Sequence, residues 1–119
     1  MRDLTAYALA AFMMVVGVMH FVVPGYFRSL VPSWLRGAGA IVALSGVAEI
    51  AVGGLVLAWR QAGGWAAALL ITAYLASHFD ALRHARRDRP ALLERPVGAV
   101  ARLLVNALYI AWAIAVATA

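Results

Sequence analysis

Residues 37–59 read GAGAIVALSGVAEIAVGGLVLAW, and they hold one charged side chain, Glu49. A stretch this long and this apolar is enough to cross a bilayer core, which takes roughly 20 residues of helix. Apolar positions run all round it, so neither face is left for water. Three further stretches have the same character. The first spans about 4–23 and stops at Pro24. The third spans about 64–82 and stops at Arg83. The fourth spans about 97–117. No strand-type alternation competes with these helices.

Composition agrees. Of the 119 residues, 66% are hydrophobic and 13% are charged, with a mean hydropathy of +0.89. Soluble domains are closer to 45–50% apolar and about 25% charged. A soluble chain of this size has too much surface to hide so much apolar area. The expected fold is therefore an all-α integral membrane four-helix bundle, one domain over residues 1–119. Arg2 followed by an apolar run imitates a signal peptide, but no cleavage motif with a polar mature chain follows, so an uncleaved first helix is expected. Cysteine is absent, which excludes a disulfide scaffold, a thiolate metal site and thiol redox chemistry.

Arginine supplies every positive charge. Arg28, Arg36, Arg83, Arg86, Arg87, Arg89 and Arg95 fall in the first and third connections, against Arg2 and Arg60 on the other side. The bias places those two connections in the cytoplasm and both termini outside. The expected location is the bacterial cytoplasmic membrane. The arginine collar suits anionic lipid head groups, and nothing beyond it suggests nucleic acid. The connection 24–36 is unusually apolar. Pro24 and Pro32 bracket a turn or two of helix, expected as an interfacial or re-entrant segment with Tyr26 and Trp34 at head-group level. Between the second and third helices only Arg60, Gln61, Ala62 and Gly63 are expected as a connection. Small residues, including Ala43, Gly46 and Gly53, are expected to let helices approach closely.

Polar side chains inside the spans are few, and their depths are uneven. At 1.5 Å per residue, His20 lies roughly 5 Å from the end nearer the first and third connections, and His78 roughly 6 Å. Arg102 lies roughly 8 Å in, Asn106 roughly 14 Å and Glu49 roughly 15–18 Å. The polar groups thus collect in one half of the bundle. Ser45 and Glu49 share a helix face, as do Arg102 and Asn106. A charge at this depth needs a partner. Glu49 and Arg102 are expected to meet, directly or through Asn106, His20 or water. Such a pair either pins two helices together or belongs to a ligand pocket. His20, Ser45, Glu49, Ser77, His78, Arg102 and Asn106 would line that pocket, with Phe21, Phe27 and Trp34 covering it. Two histidines at like depth also admit a haem or a metal, the lesser reading.

Three segments carry a family resemblance. They are Gly17-Val-Met-His20-Phe21-Val-Val-Pro24-Gly-Tyr-Phe27 with Val31-Pro32, then Ser45-Gly46-Val-Ala-Glu49-Ile50 with Gly53-Gly54-Leu55, then Arg102-Leu103-Leu104-Val105-Asn106 with Trp112-Ala113. In this order they resemble DoxX-like membrane proteins. The resemblance implies a four-helix membrane bundle whose polar motif falls on His20, Glu49, Arg102 and Asn106. It implies a link to thiosulfate oxidation with quinone as electron acceptor, or to complexes that resist redox stress. The chain departs from the family pattern at Leu75-Ala76-Ser77, where Pro-Ala-Asn is common, at Leu104 in place of proline, and at Asn106 in place of glutamine. Straighter third and fourth helices should follow.

The leading expectation is an accessory, non-catalytic subunit whose pocket takes a lipid-soluble molecule such as a quinone, with no catalytic residue assigned. The alternative is a small membrane subunit of a quinone-coupled oxidoreductase. A homo-oligomer or a redox partner protein would suit either. A channel is disfavoured, because no polar stripe crosses the whole bundle.

Overall fold

The computed structural model describes residues 2–119 and is all-helical. Helices α1 (Arg2–Val22), α3 (Ala38–Ala58), α4 (Arg60–Arg83) and α5 (Pro96–Thr118) are each long and apolar enough to cross a membrane. The short α2 (Pro24–Leu30) lies between α1 and α3, and a 3₁₀ turn, Leu92–Glu94, precedes α5. The molecule measures 44 × 27 × 20 Å. Its long axis exceeds the roughly 30 Å of a bilayer's hydrocarbon core.

The four long helices run antiparallel to their chain neighbours and close a ring in the order α1, α3, α4, α5. The tightest pairs are α1 with α3 and α4 with α5. In this order α3 and α5 stand diagonally, with at most marginal contact between them. The connection expected at Arg60–Gly63 is instead the first turn of α4, where the Gly63 amide donates to the Trp59 carbonyl at 2.8 Å. Trp59 alone joins α3 to α4, in an extended conformation that breaks both helices. Both α4 and α5 run unbroken through Leu75 and Leu104, as expected of helices without proline at those positions.

Local chemistry explains α2. Pro24 opens it at a position where a missing amide costs nothing. Val31 ends it with extended backbone, as a residue preceding proline prefers. The chain then turns into α3 through Gly37, whose φ of +73° only glycine adopts without strain. No α2 residue is fully buried, so the helix lies across the bundle end as a cover. The Ser77 hydroxyl of α4 donates to the Leu30 carbonyl and ties that cover down.

The two ends of the bundle differ. Around the chain termini, Leu9, Met13, Val56, Ile71 and Val116 pack with alanines into a dry core. Its rim is polar: Arg60 donates to the Ala119 carbonyl at 2.6 Å and lies 3.8 Å from Asp3. Toward α2 the interior becomes polar. The α1–α3 approach is close there because Gly17 faces Gly46; a Cβ on Gly46 would come within 2.8 Å of the His20 Cβ and of the Phe21 ring. Gly46→Leu is therefore expected to destabilise the bundle by about 1–3 kcal/mol through overpacking. Thermal unfolding in detergent checks this, and an unchanged midpoint would contradict the close packing.

Candidate functional site: a polar cavity beneath α2

A cavity of about 320 Å³ opens beneath α2, between α1, α3, α4 and α5. Most of its wall is apolar, with Phe12, Met13, Val16, Leu35, Ile41 and Ile71 among the lining residues. Six of the seven expected pocket residues also line it: His20, Ser45, Glu49, Ser77, His78 and Asn106. The seventh, Arg102, stands just outside. Among the expected covers, Phe27 lines the cavity, whereas Phe21 and Trp34 do not. Phe21 follows His20 by one residue, about 100° round the helix, and is 50% exposed. Trp34 lies in the turn beyond α2 and is 61% exposed.

The deepest polar contact joins α1 to α3. His20 Nε2 lies 3.0 Å from Glu49 Oε2, with the residues only 6% and 3% exposed. On its other side, His20 Nδ1 lies 2.7 Å from the Val16 carbonyl. A carbonyl only accepts, so Nδ1 carries a proton. One further proton, on Nε2 or on the Glu49 carboxyl, keeps the two groups, 3.0 Å apart, from presenting only lone pairs to each other, although they are off the line of an ideal hydrogen bond. That proton sits on the ring, giving imidazolium and carboxylate, or on the carboxyl, giving two neutral groups. The pair carries no net charge in either form, which is what an apolar interior requires. Phe27 of α2 stacks on the His20 ring, with centroids 3.8 Å apart and planes 18° apart.

The expected meeting of Glu49 with Arg102 does not occur, since no ion pair joins them among the described residues. Their helices, α3 and α5, are diagonal in the ring, and each group finds a partner on an adjacent helix. Arg102 Nε donates to His78 Nδ1 at 3.2 Å, across the tight α4–α5 pair. That bond leaves the His78 proton on Nε2 and the ring neutral. Asn106 caps the arrangement by donating to the Arg102 carbonyl at 2.7 Å. Ser45 donates to the Val42 carbonyl at 3.0 Å, within its own helix.

Two polar atoms at the cavity keep spare capacity. The Tyr74 hydroxyl is buried beside Glu49 and Ser45, close enough to interact with both, though without a hydrogen bond of ideal geometry. Glu49 Oε2 is close to His20 but off the line of an ideal hydrogen bond, so it has room for another donor. Tyr74 escaped the sequence reading because tyrosine in an apolar helix passes for packing. Its spacing was the available signal: Tyr74, Ser77 and His78 fall at i, i+3 and i+4, one face of a helix. Among the described residues, no group of three or more His, Cys, Asp or Glu gathers at metal-binding separation. His20 and His78 both reach the cavity, but each has a ring nitrogen engaged by Glu49 or Arg102.

What emerges is an all-helical protein suited to an apolar surrounding, with one half dry and the other holding a small cavity of convergent polar groups. The chain belongs to the family described as Domain of unknown function (DUF8561), whose family model matches residues 9–117 and so includes every cavity residue. Neither a curated protein nor a solved structure matches the chain.

The Ser77 tie to α2 is directly testable. Ser77→Ala should speed amide exchange over residues 24–31 while lowering bundle stability by only about 0.5–1.5 kcal/mol, the net value of one hydrogen bond. Exchange unchanged in α2 would mean that other contacts hold it.

Proposed function

We propose that this chain is a multi-pass integral membrane protein, a four-helix bundle similar to DoxX-like proteins, that binds a lipid-soluble ring-bearing carbonyl compound beneath α2. A quinone is the leading ligand. The observation that carries this reading is the cavity itself: an apolar chamber whose wall includes Tyr74 and the His20–Glu49 pair. Ligand sites are concave, mostly apolar and fixed by a few convergent polar groups, with volumes of about 300–1,000 Å³. At about 320 Å³ the chamber admits one substituted ring, not a long tail. A quinone carbonyl accepts hydrogen bonds and cannot donate them, which suits a wall that carries the Tyr74 hydroxyl as a donor. The Phe27 ring, already stacked on His20, supplies a flat wall.

A second reading draws on the same pair. A group that holds a shared proton at the cavity wall suits a subunit that delivers protons to a quinone as it is reduced, with the electrons supplied by a partner protein. This is the oxidoreductase alternative. The visible spectrum of the purified protein addresses its haem version: a Soret band supports it and a bare spectrum removes it.

Binding is tested with a short-chain quinone. Native mass spectrometry and thermal protection in detergent should both register it, and Tyr74→Phe should weaken binding roughly tenfold, the loss of about 1.5 kcal/mol of hydrogen bonding. Absence of both signals in the wild-type chain would end the quinone assignment.

The arginine bias further assigns the α2 end of the bundle to the cytoplasmic side. Because the chain has no cysteine, single introduced cysteines report this cleanly. In intact cells, a membrane-impermeant maleimide should label Gln61→Cys and spare Arg87→Cys. The reverse pattern would invert the topology.

A further inference from the structure

A second chamber, of about 310 Å³, lies on the outer side of α2. It shares Leu30, Val31 and Ser77 with the first, so the end of α2, tied by Ser77, forms the wall between them. Its lining is of a different kind. Ser29, Ser33, Asp80, Arg89, Glu94 and Arg102 converge on it.

Two of its groups are incomplete. Arg102 spends its Nε proton on His78, and its Nη2 is buried with no acceptor. Asp80 Oδ1 is buried with no hydrogen-bond donor. The nearest base, His84 Nδ1, is 3.5 Å from that oxygen and is better placed toward the Asp80 carbonyl, at 2.9 Å. Asp80 and Arg102 line the same chamber, yet no ion pair joins them among the described residues. Two side chains of opposite charge, each with one buried atom lacking a hydrogen-bond partner and neither paired with the other, therefore line one space.

A bare anion would meet the carboxylates of Asp80 and Glu94. A bare cation would meet Arg89 and Arg102. The complementary ligand carries both signs, with an anionic group for the Arg102 guanidinium and an N–H-bearing cation for the Asp80 carboxylate. The chamber sits at the bundle end that carries most of the arginines, where head groups lie if the chain spans a bilayer. We infer that this chamber binds phosphoethanolamine, with its phosphate on Arg102 and its ammonium on Asp80. The inference rests on the membrane placement but not on the quinone. A phosphatidylethanolamine headgroup and the free compound present the same chemistry. Phosphocholine does not, because a quaternary ammonium has no proton to give the Asp80 carboxylate.

The protein is reconstituted in bilayers of equimolar phosphatidylethanolamine, phosphatidylcholine and phosphatidylglycerol with identical acyl chains. It is then extracted for native mass spectrometry. Retained lipid should be enriched in phosphatidylethanolamine over phosphatidylcholine roughly tenfold, as one charge-assisted hydrogen bond provides. Asp80→Ala should abolish that preference while still retaining phospholipid, and Arg102→Gln should lose both. Free phosphoethanolamine, but not phosphocholine, should raise the thermal midpoint in detergent if the site accepts the headgroup without its tail. That protection without lipid enrichment would make the free compound the ligand. Equal retention of the two zwitterionic lipids, or a preference for phosphatidylglycerol, with no protection by free phosphoethanolamine, overturns the inference. These readings use the wild-type chain and so survive a variant that fails to fold. A chain that inserts into the bilayer yet shows none of them sinks this site alone and leaves the membrane placement standing.

Discussion

A carboxyl group sealed among apolar helices has to be neutralised, by its own proton or by a charged partner, and the contact of Glu49 with His20 organises the polar half of this bundle. His20 can reach Glu49 only because α1 and α3 come close together, and they come close because glycines 17 and 46 face each other. The Val16 carbonyl fixes which histidine nitrogen turns toward the carboxyl. Phe27 then stacks on the ring, which positions α2 over the cavity. Sequence, backbone approach, protonation and the cover helix form one chain of dependence. A side chain at Gly46 would disturb every later link.

Much of this was legible in the sequence, and for physical reasons. Hydrocarbon length gives the four long helices, because few other solutions bury so many consecutive apolar residues. The prolines at 24 and 32 mark both ends of α2, since proline's fixed φ suits a first turn and disfavours helix in the residue before it. Helical rise alone gathers His20, Glu49, His78, Arg102 and Asn106 at one end. Pairing was not legible. Depth along a helix follows from residue number, but the order of helices around the ring depends on which faces pack. Glu49 and Arg102 are opposite charges in the same half and seemed natural partners, yet their helices stand across the diagonal. The same ambiguity misplaced Phe21, one residue from His20 and turned away from the cavity. Tyr74 was missed because its one polar atom is a single hydroxyl on a side chain that otherwise reads as packing.

The polar end is divided by chemistry as well as by the wall at Leu30 and Val31. Inside, the His20–Glu49 pair, Tyr74 and Ser45 stand in a mostly apolar wall, which favours an uncharged ring. Outside, full charges of both signs face a chamber among serines, which favours a zwitterion. Arg102 marks the boundary. Its Nε reaches back to His78 at the inner cavity, while the residue itself lines the outer one. Placing a permanent guanidinium outside the inner chamber keeps that chamber free of fixed charge.

The dependence of the bundle on His20 and Glu49 is measured most directly by a double-mutant cycle with leucine at one or both positions, read by reversible unfolding in detergent. Either single substitution leaves a buried polar group without its partner, whereas the double substitution leaves none. Coupling of at least about 1 kcal/mol is expected, with the double variant more stable than the sum of the single losses predicts. Losses that add to within about 0.3–0.5 kcal/mol would show that the two side chains are neighbours without being partners, and would contradict the central place given to them.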